Sequence, residues 1–512
     1  MAKICLCLTG ETLSRDLQIL ERYRKYVDIA ELRVDYLDPD ERLLIRRFPE
    51  MAGIPVILTI RRGIDGGRFV GGEGARITIL AKGLAYAEAD RRRNFAYVDL
   101  EEDLNVPGLE EAARAFGTRI IRSWYNIEGV DDDLADKIRK LKRVGDELVK
   151  TAVMPRSLED VAKVYRAAKE TKGIDKILFC MGEFGVNTRI LAEPLGSGIS
   201  YTFPAAENGE TAEGSGQVDP RELVELYRFR EITEKTRIFA VSGYPLKVAE
   251  SRKFFNTVFK IEKTDAVYVP IPADSVESLM HLAEEIGISG AAITIPYGEE
   301  ILPYLAHRSQ EVVTIGACNT IVARAEGWMG YNTDAPGFSD SLLEFIGKKD
   351  LKRRKLTIVG AGGSARAVAA EIFRLKGKAL ILNRTVARAR VLAEPYNFAW
   401  SDLGSSGTEM MRKYSDIIIQ TSSVGMEPNG DDDPLEFYRF SGREVVMDLI
   451  YKPEKTQCLK RAEEAGCRIL NGYDMLHRHA RYQYTYFMNK EFPPSLISRV
   501  GFSGVNDGNK GD

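Results

Sequence analysis

A lysine inside an apolar run is the first residue that asks for a chemical explanation. Lys150 sits in Leu148-Val149-Lys150-Thr151-Ala152-Val153-Met154-Pro155, where burial disfavours the ammonium and leaves an amine able to attack a ketone. The bland alternative is a strand-end lysine whose head reaches solvent. Arg33, Arg61 and Arg189 fall at or just past the ends of other apolar runs. Three cations around one lysine point to a carboxylate-bearing substrate and are expected to help hold that lysine neutral. The chain has only 4 His (His281, His307, His477, His479), so chemistry in its first half proceeds without an imidazole.

A second centre lies at Leu356-Thr-Ile-Val359, which runs into Gly360-Ala361-Gly362-Gly363-Ser364 and an alanine-rich segment. Glycines let a backbone turn tightly and approach a pyrophosphate, and the helix N-terminus beyond offers oriented N–H groups. The next apolar run ends in Asn383-Arg384-Thr385, with Arg388 one turn on. A fold that prefers NAD places a carboxylate there. A guanidinium suits a 2′-phosphate, so the expected cofactor is NADP(H).

These groups need scaffolds. Short β-branched runs at 4–8, 29–36, 55–60, 95–100, 119–124, 148–154, 176–181 and 199–203 alternate with helix-period segments such as 157–169, with Ser157 as N-cap. Eight such runs in about 200 residues predict a (β/α)₈ barrel, whose active site lies at the C-terminal ends of its strands. An open doubly wound sheet is the alternative. A helix at 220–233 leads to further strand candidates at 237–241, 266–271, 291–295 and 315–323. A third set follows at 356–359, 379–382, 416–420, 444–449 and 468–470, then helix to about residue 490.

The 512 residues are 44% hydrophobic and 29% charged, and Lys+Arg 72 against Asp+Glu 75 leaves a net charge of −3. That balance argues against a nucleic-acid or membrane-surface partner. The six cysteines have neither disulfide-framework nor zinc spacing, which fits a reduced cytoplasm and no metal. Cys5 and Cys7 are expected in the core, and His281 and His307 on helical surfaces.

The first part resembles the type I 3-dehydroquinate dehydratases over most of residues 1–220. The resemblance rests on Glu31-Leu-Arg33-Val-Asp35, Thr59-Ile-Arg61, Lys150-Thr-Ala-Val-Met-Pro155, Met181-Gly182 with Arg189, and Gly214-Ser-Gly-Gln217. It implies a Schiff base on Lys150, Arg189 and Gln217 on the substrate, and Glu31, Arg33 and Arg61 lining the pocket. Residues 236–490 resemble the shikimate dehydrogenases through Gly243-Tyr-Pro245, Ser251, Asn256, Thr294-Ile-Pro296, Gly316-Ala-Cys-Asn319-Thr320, Tyr331-Asn-Thr333-Asp334, the glycine loop and Gly472-Tyr-Asp-Met475-Leu476. This implies substrate contacts from Ser251, Thr294, Asn319, Thr333 and His479, with Asp334 catalytic. Together the halves resemble bifunctional shikimate-pathway enzymes acting on small cyclic hydroxy- and keto-acids. The expected domains are a barrel at 1–219, a connecting helix at 220–235, and a substrate domain at 236–342 completed by 473–500. An NADP-binding Rossmann domain at 343–472 and a disordered tail at 501–512 complete the chain.

The departures fall on proton-moving groups. Tyr125 stands where the dehydratase family has a histidine base, and could serve if Lys150 and the arginines depress its pKa. Gly298 replaces the dehydrogenase lysine and Ala292 an asparagine; Val248 and Ala249 replace a histidine and a serine, and His479 a glutamine. Asp334 would act alone, or with Tyr297 or His479. A different cyclic polyol or amino-cyclitol acid as substrate, or NADP(H) binding without turnover, therefore stays open.

Overall fold

The computed structural model describes residues 1–84, 90–143, 145–205, 216–246 and 250–500. The expected tail at 501–512, the Gly214-Ser215 motif, and Val248 and Ala249 lie outside them. The chain divides into two compact units, Met1–Lys247 with Phe259–Ile288, and Val248–Val258 with Ser289–Asp512.

The first unit is built on eight parallel strands: β1 (Lys3–Leu8), β2 (Ile29–Arg33), β3 (Val56–Thr59), β4 (Tyr97–Glu101), β5 (Arg119–Asn126), β6 (Leu148–Val153), β7 (Lys176–Cys180) and β8 (Ile199–Thr202). They run in order β7-β6-β5-β4-β3-β2-β1-β8. Near the seam, the Gly198 N–H donates to Lys176 O at 2.8 Å and the Leu178 N–H to the Ser197 hydroxyl at 3.0 Å. This is a nearly closed barrel, as the alternation predicted. Helices cover its outside; the helix Leu158–Glu170 starts where Ser157 accepts the Asp160 N–H, the expected N-cap. Cys5 and Cys7, two apart on β1, both face the barrel core. The same unit holds the parallel pair β9 (Arg237–Gly243) and β10 (Ala266–Pro272).

In the second unit, β11 (Ile288–Ile293), β13 (Thr320–Arg324) and β14 (Gly327–Tyr331) pair antiparallel in turn, with the short β12 (His307–Arg308) parallel to β14. Six more strands form a parallel sheet: β15 (Lys355–Val359), β16 (Lys378–Asn383), β17 (Ala399–Asp402), β18 (Ile417–Gln420), β19 (Val445–Asp448) and β20 (Arg468–Leu470). Their order, β17-β16-β15-β18-β19-β20, is that of a doubly wound dinucleotide fold. Alternation explains why these strands read as continuous apolar runs. Leu356, Ile358, Ile381 and Ile419 pack into one cluster, while Val359, Leu380, Leu382 and Ile418 pack into another on the opposite face.

Three local expectations need correction. The run at 315–323 splits: Gln310–Ile315 is helix, Gly316 caps it in the left-handed region, and β13 begins only at Thr320. The helix expected at 220–233 stops at Glu225, and Phe229–Glu231 forms a separate turn of 3₁₀ helix. His307 is exposed as expected but lies on β12, not on a helix. Among the described residues no helix is long and apolar enough to cross a membrane, and no group of His, Cys, Asp and Glu could hold a metal ion.

Candidate active sites

In a parallel barrel, alternate strands send side chains into a common layer. Glu31 on β2, Asp99 on β4, Lys150 on β6 and Tyr201 on β8 occupy such places. Lys150 Nζ lies 2.8 Å from Asp99 Oδ2, 3.3 Å from Glu31 Oε1 and 4.3 Å from the Tyr201 ring centroid. The lysine is 0% exposed, which rules out a side chain reaching to solvent. Burial pulls its pKa down, but Asp99, with Tyr125, Tyr201 and Glu31, outweighs burial and raises it well above the ordinary lysine value. The expected neutral lysine is therefore corrected: two carboxylates hold an ammonium.

The arginines do not produce the anticipated effect because they have partners of their own. Arg33 makes a two-pronged pair with Asp35 at 2.9 and 2.8 Å. Arg61 stacks 4.3 Å from the centroid of the Tyr125 ring and donates to its hydroxyl at 3.2 Å. Arg189 differs. It donates to the Cys180 carbonyl at 2.6 Å and has no acidic partner among the described residues; burial pushes its pKa down to about 10, against Cys180 and Cys7. A buried guanidinium lacking an anion is a ready receptor for a carboxylate.

Tyr125 donates to Asp99 Oδ2 at 3.1 Å, and the Ser123 hydroxyl donates to Asp99 Oδ1. Burial pushes the Tyr125 pKa up to about 12; Arg61 and Lys150 oppose this, and Asp99 adds to it. The expected depression is overturned. Glu31 accepts from the Thr59 hydroxyl at 3.0 Å and from Cys7 Sγ at 3.3 Å. Burial raises its pKa, yet Lys150, Arg33 and Arg61 bring it down to about 2.

Above this layer opens a cavity of about 550 Å³, lined among others by Glu31, Arg33, Arg61, Arg189, Tyr201 and Gln217. Gln217 is carried into the wall by Gly216, whose φ is +67° and whose Cβ position would fall 1.8 Å from the Gly182 carbonyl oxygen. Only glycine fits there. Lys150 is buried next to this cavity, in contact with two of its lining residues, Glu31 and Tyr201. Asp99 and Tyr201 were missed from sequence, although a carboxylate in an apolar strand is the same signal that singled out Lys150.

In the second unit, Asn319, Thr333, Asp334 and His479 come together. Asn319 Oδ1 accepts from the Thr333 N–H at 2.9 Å, the Thr333 hydroxyl at 3.1 Å and the Thr320 hydroxyl at 2.9 Å. Gln483 Nε2 donates to the Thr320 hydroxyl at 3.0 Å. Asp334 opens the helix Asp334–Ile346, and His479 Nδ1 stands 3.8 Å from its Oδ1. Thr294 follows β11 and is exposed, beside Asn319 because the Ile293 N–H donates to the Asn319 carbonyl at 2.8 Å. Ser251 is buried on the helix Glu250–Ile261 and makes no hydrogen bond to the cluster among the described residues. Tyr297 is buried in the apolar core.

The dinucleotide loop leaves β15 where the strand order reverses. Gly360 has φ +115°, and a Cβ there would meet Thr421 Oγ1 at 2.6 Å. Gly362 and Gly363 face open space, and the helix Gly363–Arg374 has no side-chain cap. Its first N–H groups, with Ala361 and Ser364 beside them, can therefore receive a phosphate. Asn383 Nδ2 donates to the Thr385 carbonyl at 3.0 Å, which holds the turn. Arg384 and Arg388 are exposed with no ion pair among the described residues. These residues fit a phosphorylated dinucleotide.

Comparison with known proteins matches a type I 3-dehydroquinase model over residues 4–234 and a shikimate dehydrogenase substrate-binding-domain model over residues 241–321. A bifunctional 3-dehydroquinate dehydratase/shikimate dehydrogenase of Arabidopsis thaliana, described as chloroplastic, is 26% identical over 97% of this chain and 84% of its own. A shikimate dehydrogenase (NADP(+)) of Shouchella clausii is 34% identical, over 47% of this chain and 88% of its own. Among solved structures, shikimate 5-dehydrogenase from Thermus thermophilus in complex with NADP(H) and shikimate is 27% identical. It covers 52% of this chain and 98% of its own, with a TM-score of 0.46.

Proposed function

The chain belongs to the shikimate dehydrogenase family, with a type I 3-dehydroquinase barrel ahead of it, and on that premise we propose that it carries out two successive steps of the shikimate pathway. The barrel dehydrates 3-dehydroquinate to 3-dehydroshikimate, and the second half reduces that product to shikimate with NADPH. The observation that carries the reading is Lys150, held as an ammonium next to a cavity whose wall offers Arg189 to a substrate carboxylate.

In the barrel, Lys150 sheds a proton before its amine attacks, and Asp99 is the acceptor within hydrogen-bond reach. The amine adds to the substrate ketone and water leaves, giving an iminium that draws electrons from the neighbouring C–H. A base takes that proton, the β-hydroxyl departs as water, and hydrolysis frees the lysine. With a pKa near 12, Tyr125 has a phenolate fraction of about 10⁻⁵ at pH 7. Asp99 returns the lysine's proton to the hydroxyl that leaves as the iminium forms; Tyr125 then serves as base by passing its own proton to the freed carboxylate while taking the substrate's, and Asp99 gives that proton to the departing β-hydroxyl. Arg61 orients the phenol, and Arg189 and Gln217 hold the substrate.

In the second half, Gly360, Ala361, Gly362, Gly363 and Ser364 receive the pyrophosphate. Asn383, Arg384, Thr385 and Arg388 receive the 2′-phosphate ribose. NADPH supplies the hydride. Asn319 and Thr333 bind substrate hydroxyls together with Ser251 and Thr294, and Asp334 takes part in the proton transfer. Two families that act on consecutive intermediates in one chain favour this reading over another cyclitol substrate or a non-catalytic binder. All six cysteines are free and buried, which supports a reducing compartment, and we place the protein in the cytoplasm.

The test is a coupled assay: 3-dehydroquinate and NADPH with the purified chain. Shikimate formation with matching NADPH loss is expected. Absence of both dehydration and NADP-linked shikimate oxidation would end the reading.

A further inference from the structure

Gly298 leaves the dehydrogenase half without the lysine that its family pairs with the aspartate, so another group must move the hydroxyl proton. We propose that His479, coupled to Asp334, is the catalytic acid–base of the dehydrogenase half; this rests on the function proposed above. In the oxidising direction NADP⁺, held at the glycine loop, would supply the hydride acceptor for the substrate C–H. The O–H proton passes to the imidazole, the carbonyl forms, and the imidazolium later gives its proton to water. Reduction reverses each transfer.

Three observations carry the assignment. His479 Nδ1 lies 3.8 Å from Asp334 Oδ1 and 3.5 Å from the Thr333 hydroxyl, beside the Asn319 hub. The first distance lets a carboxylate stabilise an imidazolium; the second is the outer limit of a hydrogen bond, so neither locks the ring. The other nitrogen, Nε2, is shielded from solvent and has no partner, whereas buried polar atoms are nearly always satisfied. The helix that carries residue 479 also packs closely on the helix that carries Asp334: the His479 Cβ lies 3.0 Å from where a Cβ on Gly337 would stand, so the glycine lets residue 479 come this near to Asp334.

Burial lowers the imidazole pKa below its ordinary 6.5, with Asp334 opposing. Asp334 is the charged group that the helix Asp334–Ile346 turns toward it. Thr320 at the start of β13, like Thr333 and Asn319 beside it, is neutral, and on its own helix Arg478 is paired with Asp474 and Glu344. The imidazole is therefore neutral, and competent as a base, at pH 7.

The experiment compares the full chain with His479→Gln in NADP-linked shikimate oxidation across pH 5–9, alongside NADPH binding and barrel dehydratase activity. The expected result is a fall in kcat of about 10²-fold or more, with KM and NADPH affinity little changed. The acid limb of the unmodified profile, lying below pH 6.5, should vanish. Asp334→Asn provides a second reading, since loss of the carboxylate should move that limb to lower pH. Turnover and an acid limb that survive His479→Gln, or a limb unmoved in Asp334→Asn, overturn the assignment. Absence of turnover by the unmodified chain overturns the function itself, and the assignment with it.

Discussion

Lys150 Nζ and Asp99 Oδ2 lie 2.8 Å apart at the centre of the barrel, neither reached by solvent. A buried ion pair of this kind is poor evidence for stability, because desolvation offsets much of the attraction. Its meaning is chemical: the carboxylate that raises the lysine pKa is also placed to accept the proton that the lysine must lose. Asp99→Asn should shift the pH profile of Schiff-base formation toward acid by at least a unit, read by borohydride trapping at a series of pH values. Identical profiles would separate Asp99 from the lysine's titration.

Tyr125 offers a gain-of-function test. An imidazole with a pKa near 6.5 is mostly available as a base at pH 7, whereas this phenol is not. Tyr125→His should raise the dehydration rate about 10²-fold or more, while trapping at Lys150 persists. A rate unchanged or lowered, with the adduct still formed, would show that proton abstraction is not limited by residue 125.

Glu31 makes acid sensitivity a property of the active site. Its carboxyl falls from 4.5 to about 2 on folding, so its contribution is fully present above pH 4.5 and disappears as pH drops toward 2. A shift of that size corresponds to about 3 kcal/mol. Glu31→Gln should flatten the loss of stability between pH 5 and 2 in denaturant titrations. A slope equal to that of the unmodified chain would contradict the shift.

Arg384 and Arg388, beside the dinucleotide loop, have no ion-pair partner among the described residues. The double change Arg384→Ala, Arg388→Ala should weaken NADPH binding by 10-fold or more and leave NADH binding nearly unchanged, measured by calorimetry. Equal losses for both cofactors would move the 2′-phosphate elsewhere.

Gly298 can accept a side chain. A Cβ there meets nothing closer than the Cys318 carbonyl oxygen at 3.4 Å, and its φ lies outside the left-handed region. Gly298→Lys should therefore fold normally and raise shikimate oxidation about 10²-fold, the lower end of what a positioned proton carrier contributes. A folded variant without that gain would mean the pocket has diverged beyond its missing lysine.

Much of this molecule was legible because parallel strands buried on both faces read as unbroken apolar runs. All eight barrel strands and five of the six in the dinucleotide sheet were placed to within a few residues. The missed β17 (Ala-Trp-Ser-Asp) is short, polar and at the sheet edge, so burial left no mark on it. The β14 segment, Gly327–Tyr331, carries two glycines among its five residues, and these weaken the strand signal of its Trp and Tyr. The error at 315–323 came from reading through Gly316, which caps one element before the next begins.

At the sites, motif spacing supplied most residues but not their charge states. Sequence placed three arginines near Lys150 without showing that Asp35 and Tyr125 already occupy two of them. It also passed over Asp99, which decides the lysine's protonation. Such electrostatics depend on which side chains share a barrel layer, and that follows only once strand register is known.

The most direct test is borohydride reduction of the chain with 3-dehydroquinate, followed by peptide mass spectrometry. A stable adduct on the peptide bearing Lys150, lost in Lys150→Ala, is the expected result. An unmodified Lys150 at every pH tried, in a chain that still binds NADPH, would contradict the Schiff-base chemistry on which the first half of this account depends.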